Sequence, residues 1–165
     1  MADMYDQFTL DTSDTAFALS LIGKEPRNTL EIACGSGRIL VPLAQAGHNV
    51  TGLDFDECML ERISEKAAGL KNIAWHKSDV ISDTWGKGYD VVLLAGNFLF
   101  NIVSDMEYHQ AQALLIQKSA DALVSGGHLF IDYGYTLHPE KWFINPNENV
   151  IWKGADRDGT YGKMS

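Results

Sequence analysis

Between positions 31 and 38 the chain reads Glu31-Ile32-Ala33-Cys34-Gly35-Ser36-Gly37-Arg38. Gly35 and Gly37 let a backbone turn tightly and approach a ligand with no Cβ in the way. A helix starting after such a turn points its free N–H groups at that ligand, so the segment predicts a nucleoside-type cofactor site. Glycine-rich turns between strand and helix occur in many α/β folds, and a second feature is needed. Asp54, 17 positions after Gly37, ends another apolar run, where a carboxylate can accept hydrogen bonds from both hydroxyls of a ribose lying across the strand ends. Asp54 can also be read as a helix cap, although Asp56 is better placed for that task. A dinucleotide-binding oxidoreductase is the rival enzyme, but its G-x-G-x-x-G fingerprint needs glycine or alanine at position 40, which is Leu40 here.

The elements that must position these residues follow from periodicity. Short β-branched runs at Thr29–Ala33, Asn49–Leu53, Ile73–His76, Tyr89–Leu94 and His128–Asp132 alternate with longer stretches of helical period, the pattern of a parallel sheet with crossover helices. The expected fold class is therefore α/β, a three-layer sandwich around a mainly parallel, Rossmann-like sheet. Arg38–Gln45 and Asp56–Ala68 predict helices, the second capped by Asp56 and ended by Gly69. Ser104 and Glu107 have the S-x-x-E spacing of a capping box ahead of a third helix carrying Tyr108, Ala111, Leu115, Ala122 and Leu123, and Ser125, Gly126 and Gly127 turn it into the fifth strand. A leading helix over Thr12–Ile22 is expected to pack on the sheet through Ala16, Phe17, Leu19 and Leu21. Beyond Asp132 the alternation stops, and Asn149–Lys153 with Thr160–Met164 around Asp158-Gly159 reads as a hairpin.

These residues resemble the first motif of the class I S-adenosylmethionine-dependent methyltransferases, acidic-x-Gly-x-Gly-x-Gly, with Glu31, Gly35 and Gly37 matching and Ala33 in place of the first glycine. The resemblance continues through Val50-Thr51-Gly52-Leu53-Asp54, Ser78-Asp79-Val80, Ala95-Gly96-Asn97 and Leu123-Val124-Ser125-Gly126-Gly127-His128-Leu129, and covers roughly residues 28 to 133. It implies S-adenosylmethionine as cofactor. Glu31, Ala33, Cys34 and the Gly35-Ser36-Gly37 backbone would hold its amino-acid part, and Asp54 its ribose. Phe55 or Met59 would lie on the adenine, with core packing as the other reading of Met59. Asp79, following Ser78, would accept the adenine amino hydrogen while the Val80 amide donates to the ring. Ala95 and Gly96 would line the fourth strand's end. Asn97 would orient cofactor or substrate, or cap its turn. Methyl transfer from a sulfonium is an in-line displacement governed by alignment and desolvation. If the acceptor loses a proton, Asp132, Tyr133, Tyr135 and His138 are the polar residues beyond the fifth strand, so Asn97, Tyr135 and His138 stand as catalytic candidates.

The 165 residues, 45% of them hydrophobic, predict one domain with its core over residues 28–133 and a substrate-side extension over 134–165. Thirteen Lys and Arg against 22 Asp and Glu give a net charge of −9, which repels nucleic acid and anionic membranes, while the resemblance, through the run E-I-A-C-G-S-G-R, implies a small-molecule acceptor. No apolar run approaches the ~20 residues of a membrane span, and the start, MADMYDQFTL, lacks a signal-peptide pattern, so a cytoplasmic protein is expected. Cys34 and Cys58, the only cysteines, fit neither a disulfide framework nor a metal site and read as reduced, semi-buried thiols. Relative to the family pattern, a final helix and an antiparallel pair of strands have no sequence here. That leaves three readings: a natural short form completed by another subunit, a truncated form, or a cofactor-binding domain without transfer activity. An exposed last strand would favour homo-oligomers by edge pairing.

Overall fold

A computed structural model of the chain describes Asp6 and residues 12–134, 152–155 and 159–164. The chain divides into two compact units, Ser13–Tyr133 and Met1–Thr12 with Gly134–Ser165. In the first, α1 (Ser13–Ile22) leads into β1 (Asn28–Ile32), α2 (Leu40–Gln45), β2 (Asn49–Asp54), α3 (Glu57–Lys66), β3 (Ile73–Lys77), β4 (Tyr89–Leu94), a 3-10 turn (Phe98–Phe100), α4 (Tyr108–Ala122) and β5 (Leu123–Ile131). The five strands are all parallel in the order β3-β2-β1-β4-β5. The second unit contains the antiparallel hairpin β6 (Trp152–Ala155) and β7 (Tyr161–Met164). Its expected positions 149–151 and the loop residue Asp158 lie outside the described residues.

The central strands are apolar on both sides because helices cover both faces. Val91 and Leu93 join Ala18 of α1, Leu40 and Leu43 of α2 and Leu60 and Ile63 of α3 in one cluster. Val92 and Leu94 join Leu30, Ile32, Trp85 and Leu115 in the other. The two clusters follow the two-residue alternation of β4, and each fully buried aliphatic side chain contributes roughly 1.5–3 kcal/mol of transfer free energy. The strand order reverses between β1, followed by β2, and β4, which opens a crevice at their carboxyl ends, where open α/β sheets take ligands.

Four local expectations are corrected. In α1 the buried residues are Thr15 and Ala18, and of the four apolar residues singled out Leu19 packs against the core while Ala16 is exposed and Phe17 and Leu21 are more than half exposed, so the stripe facing the sheet is only partly the expected one. The Ser104–Glu107 pair forms no capping box: Glu107 is itself the N-cap, accepting from the Gln110 amide, and the Ser104 hydroxyl accepts from Met106. β5 starts at Leu123, pairing with Tyr89 before a register break at Val124–Gly127 and resuming at His128 opposite Val91, so the glycine turn survives as an irregularity inside the strand. Cys34 is buried as expected, but Cys58 is exposed in the first turn of α3.

Candidate functional site

The turn after β1 takes left-handed backbone at Ala33, Gly35 and Gly37, with φ of 57°, 54° and 80°. It is folded back onto β2 by the Cys34 amide, which donates to the Leu53 carbonyl at 3.0 Å, and by the Gly35 amide, which donates to Asp54 Oδ2 at 2.7 Å. Asp54 Oδ1 accepts the Asp56 amide at 2.8 Å. The cap of α3 is Asp56, which takes the Cys58 and Met59 amides, so the capping alternative for Asp54 falls away. A carboxylate oxygen has two lone pairs, and each Asp54 oxygen keeps acceptor capacity after its main-chain bond. Gly37 is also closely packed in its left-handed backbone, since a Cβ there would come within 3.1 Å of the Ile63 and Val41 side chains.

Glu31, on the α1–α3 face of β1, is 3% exposed. Its carboxylate accepts from the amide of Leu40, at the start of α2, while Oε2 has no hydrogen-bond partner among the described residues. Burial raises its pKa to about 8 against the pull of Arg38, and the charges of Asp54 and Asp14 push the same way as burial. Arg38 pairs with Asp14 of α1 at 2.6 Å. Burial alone would raise Asp14, but the Arg38 bond and charge, with help from Thr15, hold it below the usual carboxylate range. Ser36 is fully buried, and Lys66 of α3 donates to both its hydroxyl and its carbonyl at 3.0 Å. Burial, aided by Glu31 and Asp54, lifts the Cys34 thiol far above its ordinary value, so it stays protonated and inert.

A cavity of about 520 Å³ opens beside these strand ends, lined by Ala33, Asp54, Phe55, Ser78, Asp79 and Val80 among the expected residues. Phe55, 73% exposed, stands at its wall with its ring open to solvent. Asp79 accepts from the Ile81 amide at 3.0 Å and the Ser82 hydroxyl at 2.9 Å, bonds that hold its carboxyl below the usual range. Met59 is only half buried, stands outside the cavity lining and reaches the Gly35 backbone, its Cε 3.5 Å from where a Cβ would sit.

At the end of β4, Ala95 is buried and the Gly96 amide donates to Asp132 Oδ2 at 3.1 Å, bridging β4 to the end of β5. Asn97 takes φ 57° at the head of the 3-10 turn, makes no side-chain cap there and does not line the cavity. Tyr133 stacks on Phe100 with ring centroids 4.1 Å apart. Tyr135 and His138 lie outside the described residues.

The sequence reading missed Ile81, next to Val80 in the lining, and a second wall made by Phe98, Asn101, Ile102 and Val103. The apolar run between Asn97 and Ser104 has neither strand nor helix period, and that irregularity beside a strand end was the available signal. Tyr108 and Gln112 of α4 both donate to the Leu99 carbonyl, at 2.8 and 3.0 Å, and fix this wall.

Residues 29–127 match the family model described as a methyltransferase domain. The chain is 26% identical over 143 residues to a 23S rRNA (uracil(1939)-C(5))-methyltransferase of Aeromonas salmonicida, covering 76% of this chain and 33% of that one. It is 26% identical over 137 residues to the glycine N-methyltransferase of Rattus norvegicus, covering 75% and 46%. Among solved structures it is similar to the CcbJ methyltransferase from Streptomyces caelestis, with a TM-score of 0.66 and 27% identity over 79% of this chain and 54% of that one. The chain thus spans about a third to a half of the length of these relatives.

Proposed function

We propose that this chain, which belongs to the class I S-adenosylmethionine-dependent methyltransferases, binds S-adenosylmethionine at the carboxyl ends of β1, β2 and β4 and methylates a small-molecule acceptor. One observation carries the reading: residues from three separate strand ends, Ala33, Asp54 with Phe55, and Ser78 to Val80, line a single cavity. The residues fit the cofactor. Glu31 Oε2, buried outside the cavity lining and without a hydrogen-bond partner among the described residues, is an acceptor suited to an ammonium group, and Asp54 is held with lone pairs free for ribose hydroxyls. Phe55, Val80 and Ile81 give a purine apolar contact, and Asp79 gives its amino group an acceptor.

When bound, S-adenosylmethionine supplies an electrophilic methyl group on a sulfonium. The protein's part is placement: the Gly35–Asp54 clamp and the Asp79 turn are held by the protein's own hydrogen bonds, which fix the groups that would align the cofactor. Asn97, Tyr135 and His138 are proposed as catalytic candidates toward the acceptor, and His138 is a group able to take a proton from an amine or hydroxyl. A net charge of −9 supports a small acceptor over a polyanion such as the RNA of the Aeromonas relative.

Calorimetric titration with S-adenosylmethionine and S-adenosylhomocysteine, with NADH and Asp54→Ala as controls, tests the reading. Saturable binding of both adenosyl compounds, lost in Asp54→Ala, is expected, followed by transfer in an acceptor screen. Binding with no transfer to any acceptor favours a cofactor-binding domain that needs a partner. Binding of NADH alone overturns the methyltransferase reading.

A further inference from the structure

We propose that Lys118 is a positioning residue for the cofactor, the internal cation around which the cavity-lining loop of residues 78–85 is folded. The inference rests on the reading of that cavity as the adenosyl site.

Lys118 lies on α4, in the layer opposite α1–α3, and is more than 30 residues from the loop in sequence. Its Nζ donates to the carbonyls of Val80 at 2.6 Å, Ile81 at 3.0 Å and Asp83 at 2.6 Å. An ammonium group has three N–H donors and no acceptor, so all three are spent on main-chain oxygens of one loop. None is left for a ligand, and Lys118 acts through the loop alone. Trp85 completes the arrangement: its ring lies 5.0 Å from Nζ, and its Nε1 donates to the same Val80 carbonyl at 3.0 Å.

The loop has no sheet or helix ladder to take these carbonyls. Apart from the Ser78 amide, which donates to the Asp54 carbonyl at 2.8 Å and ties the start of the loop to β2, its other bonds run between near neighbours: Asp83 Oδ2 accepts from the Ser78 hydroxyl and the Asp79 amide, and Asp79 accepts from Ile81 and Ser82. The cation holds the Val80, Ile81 and Asp83 carbonyls on its own side, and two of these residues, Val80 and Ile81, also line the cavity, as does Asp79. Burial holds the Lys118 ammonium below its usual pKa, and the charges of Asp79 and Asp83 offset part of that shift. The tripod of oxygens around one point matches an ammonium, whereas a guanidinium presents its donors in a planar fork.

If Asp79 reads the purine amino group, loosening the loop must erode that reading. The probes are S-adenosylhomocysteine and S-inosylhomocysteine, which differ in the six-amino against six-oxo group and in the hydrogen the oxo form carries on N1, the edge that Asp79 and the Val80 amide would read, titrated into the full chain and into Lys118→Met. In the parent chain the adenosyl compound binds more tightly than the inosyl one. In Lys118→Met its affinity falls about tenfold, since the loop must then be ordered on binding, and the ratio between the two ligands shrinks. If Lys118→Met does not fold, Lys118→Arg takes its place, with the same direction expected and a smaller loss. A folded variant with unchanged affinity or an unchanged ratio overturns the assignment, whatever its melting temperature, because simple destabilisation does not alter ligand discrimination. A parent chain that binds neither compound overturns the cofactor reading itself, and the role of Lys118 with it.

Discussion

The Gly35 amide and Asp54 Oδ2 meet at 2.7 Å, so the carboxylate closes the turn after β1 onto the end of β2. Its other oxygen holds the Asp56 amide at 2.8 Å. Asp54→Asn puts an NH2 group against one of two amide donors and leaves a single acceptor oxygen for ligand hydroxyls. Affinity for S-adenosylhomocysteine should fall at least about tenfold, with charge-assisted bonds lost from both the turn and the ligand. Titration calorimetry checks it, and undiminished affinity would place the ribose elsewhere.

Gly52 lies inside β2 with Cys34 and Leu40 packed against it: a Cβ there would stand 2.6 Å from Cys34 Sγ and 2.7 Å from Leu40 Cδ2. The missing side chain is what lets the turn after β1 settle onto the sheet. Gly52→Ala should lower stability by about 1–3 kcal/mol through overpacking. It should also weaken cofactor binding, because Cys34 is the residue before Gly35. Urea unfolding measures the first effect, and full stability in the variant would show that the turn shifts freely.

Much of this arrangement was legible in the sequence because it is local. The strand ends, the glycine turn and the Asp56 cap each follow from a residue type at a short spacing, and the sheet order agrees with the alternation of strands and helices. What escaped is carried by long-range contacts. Nothing near Lys118 marks it as the partner of three carbonyls in residues 80–83, and Asp14 meets Arg38 across 24 positions. The wall formed by Phe98, Ile102 and Val103 lacks periodicity, so only its contacts define it. The Ser104–Glu107 spacing misled because the helix begins one residue after Glu107, which makes the glutamate the cap rather than the third helical residue.

Ala33 occupies φ 57° where the family motif has glycine. A Cβ in the left-handed region costs roughly 1–2 kcal/mol, and glycine gives back part of that as backbone entropy in the unfolded chain. Ala33→Gly should therefore stabilise the protein by up to about 1 kcal/mol, raising the melting temperature by a few degrees. Scanning calorimetry decides it, and a lower melting temperature would mean that the alanine methyl contributes packing that outweighs the strain.

Glu31 supplies the pH dependence. Its carboxyl titrates at about 8 in the folded chain, raised by burial from an ordinary 4.5, with Arg38 opposing and Asp54 and Asp14 reinforcing the shift. Below 4.5 the folded and unfolded chains both hold the proton, and above about 8 both have lost it. Between those values only the folded chain keeps it, so this group's contribution to stability is full at the acid end and declines as pH rises through the window. Glu31→Gln removes that decline, and its stability relative to the parent should increase steadily from about pH 5 to about pH 9. Binding has the opposite sign, since a ligand ammonium at Oε2 favours the ionised carboxylate. Affinity for S-adenosylhomocysteine should rise with pH across the same window and proton release should accompany binding, both of which Glu31→Gln flattens. Urea unfolding and titration at several pH values, in buffers of different ionisation heat, measure the two slopes. Parallel slopes in parent and variant would show that Glu31 does not change its protonation in this range.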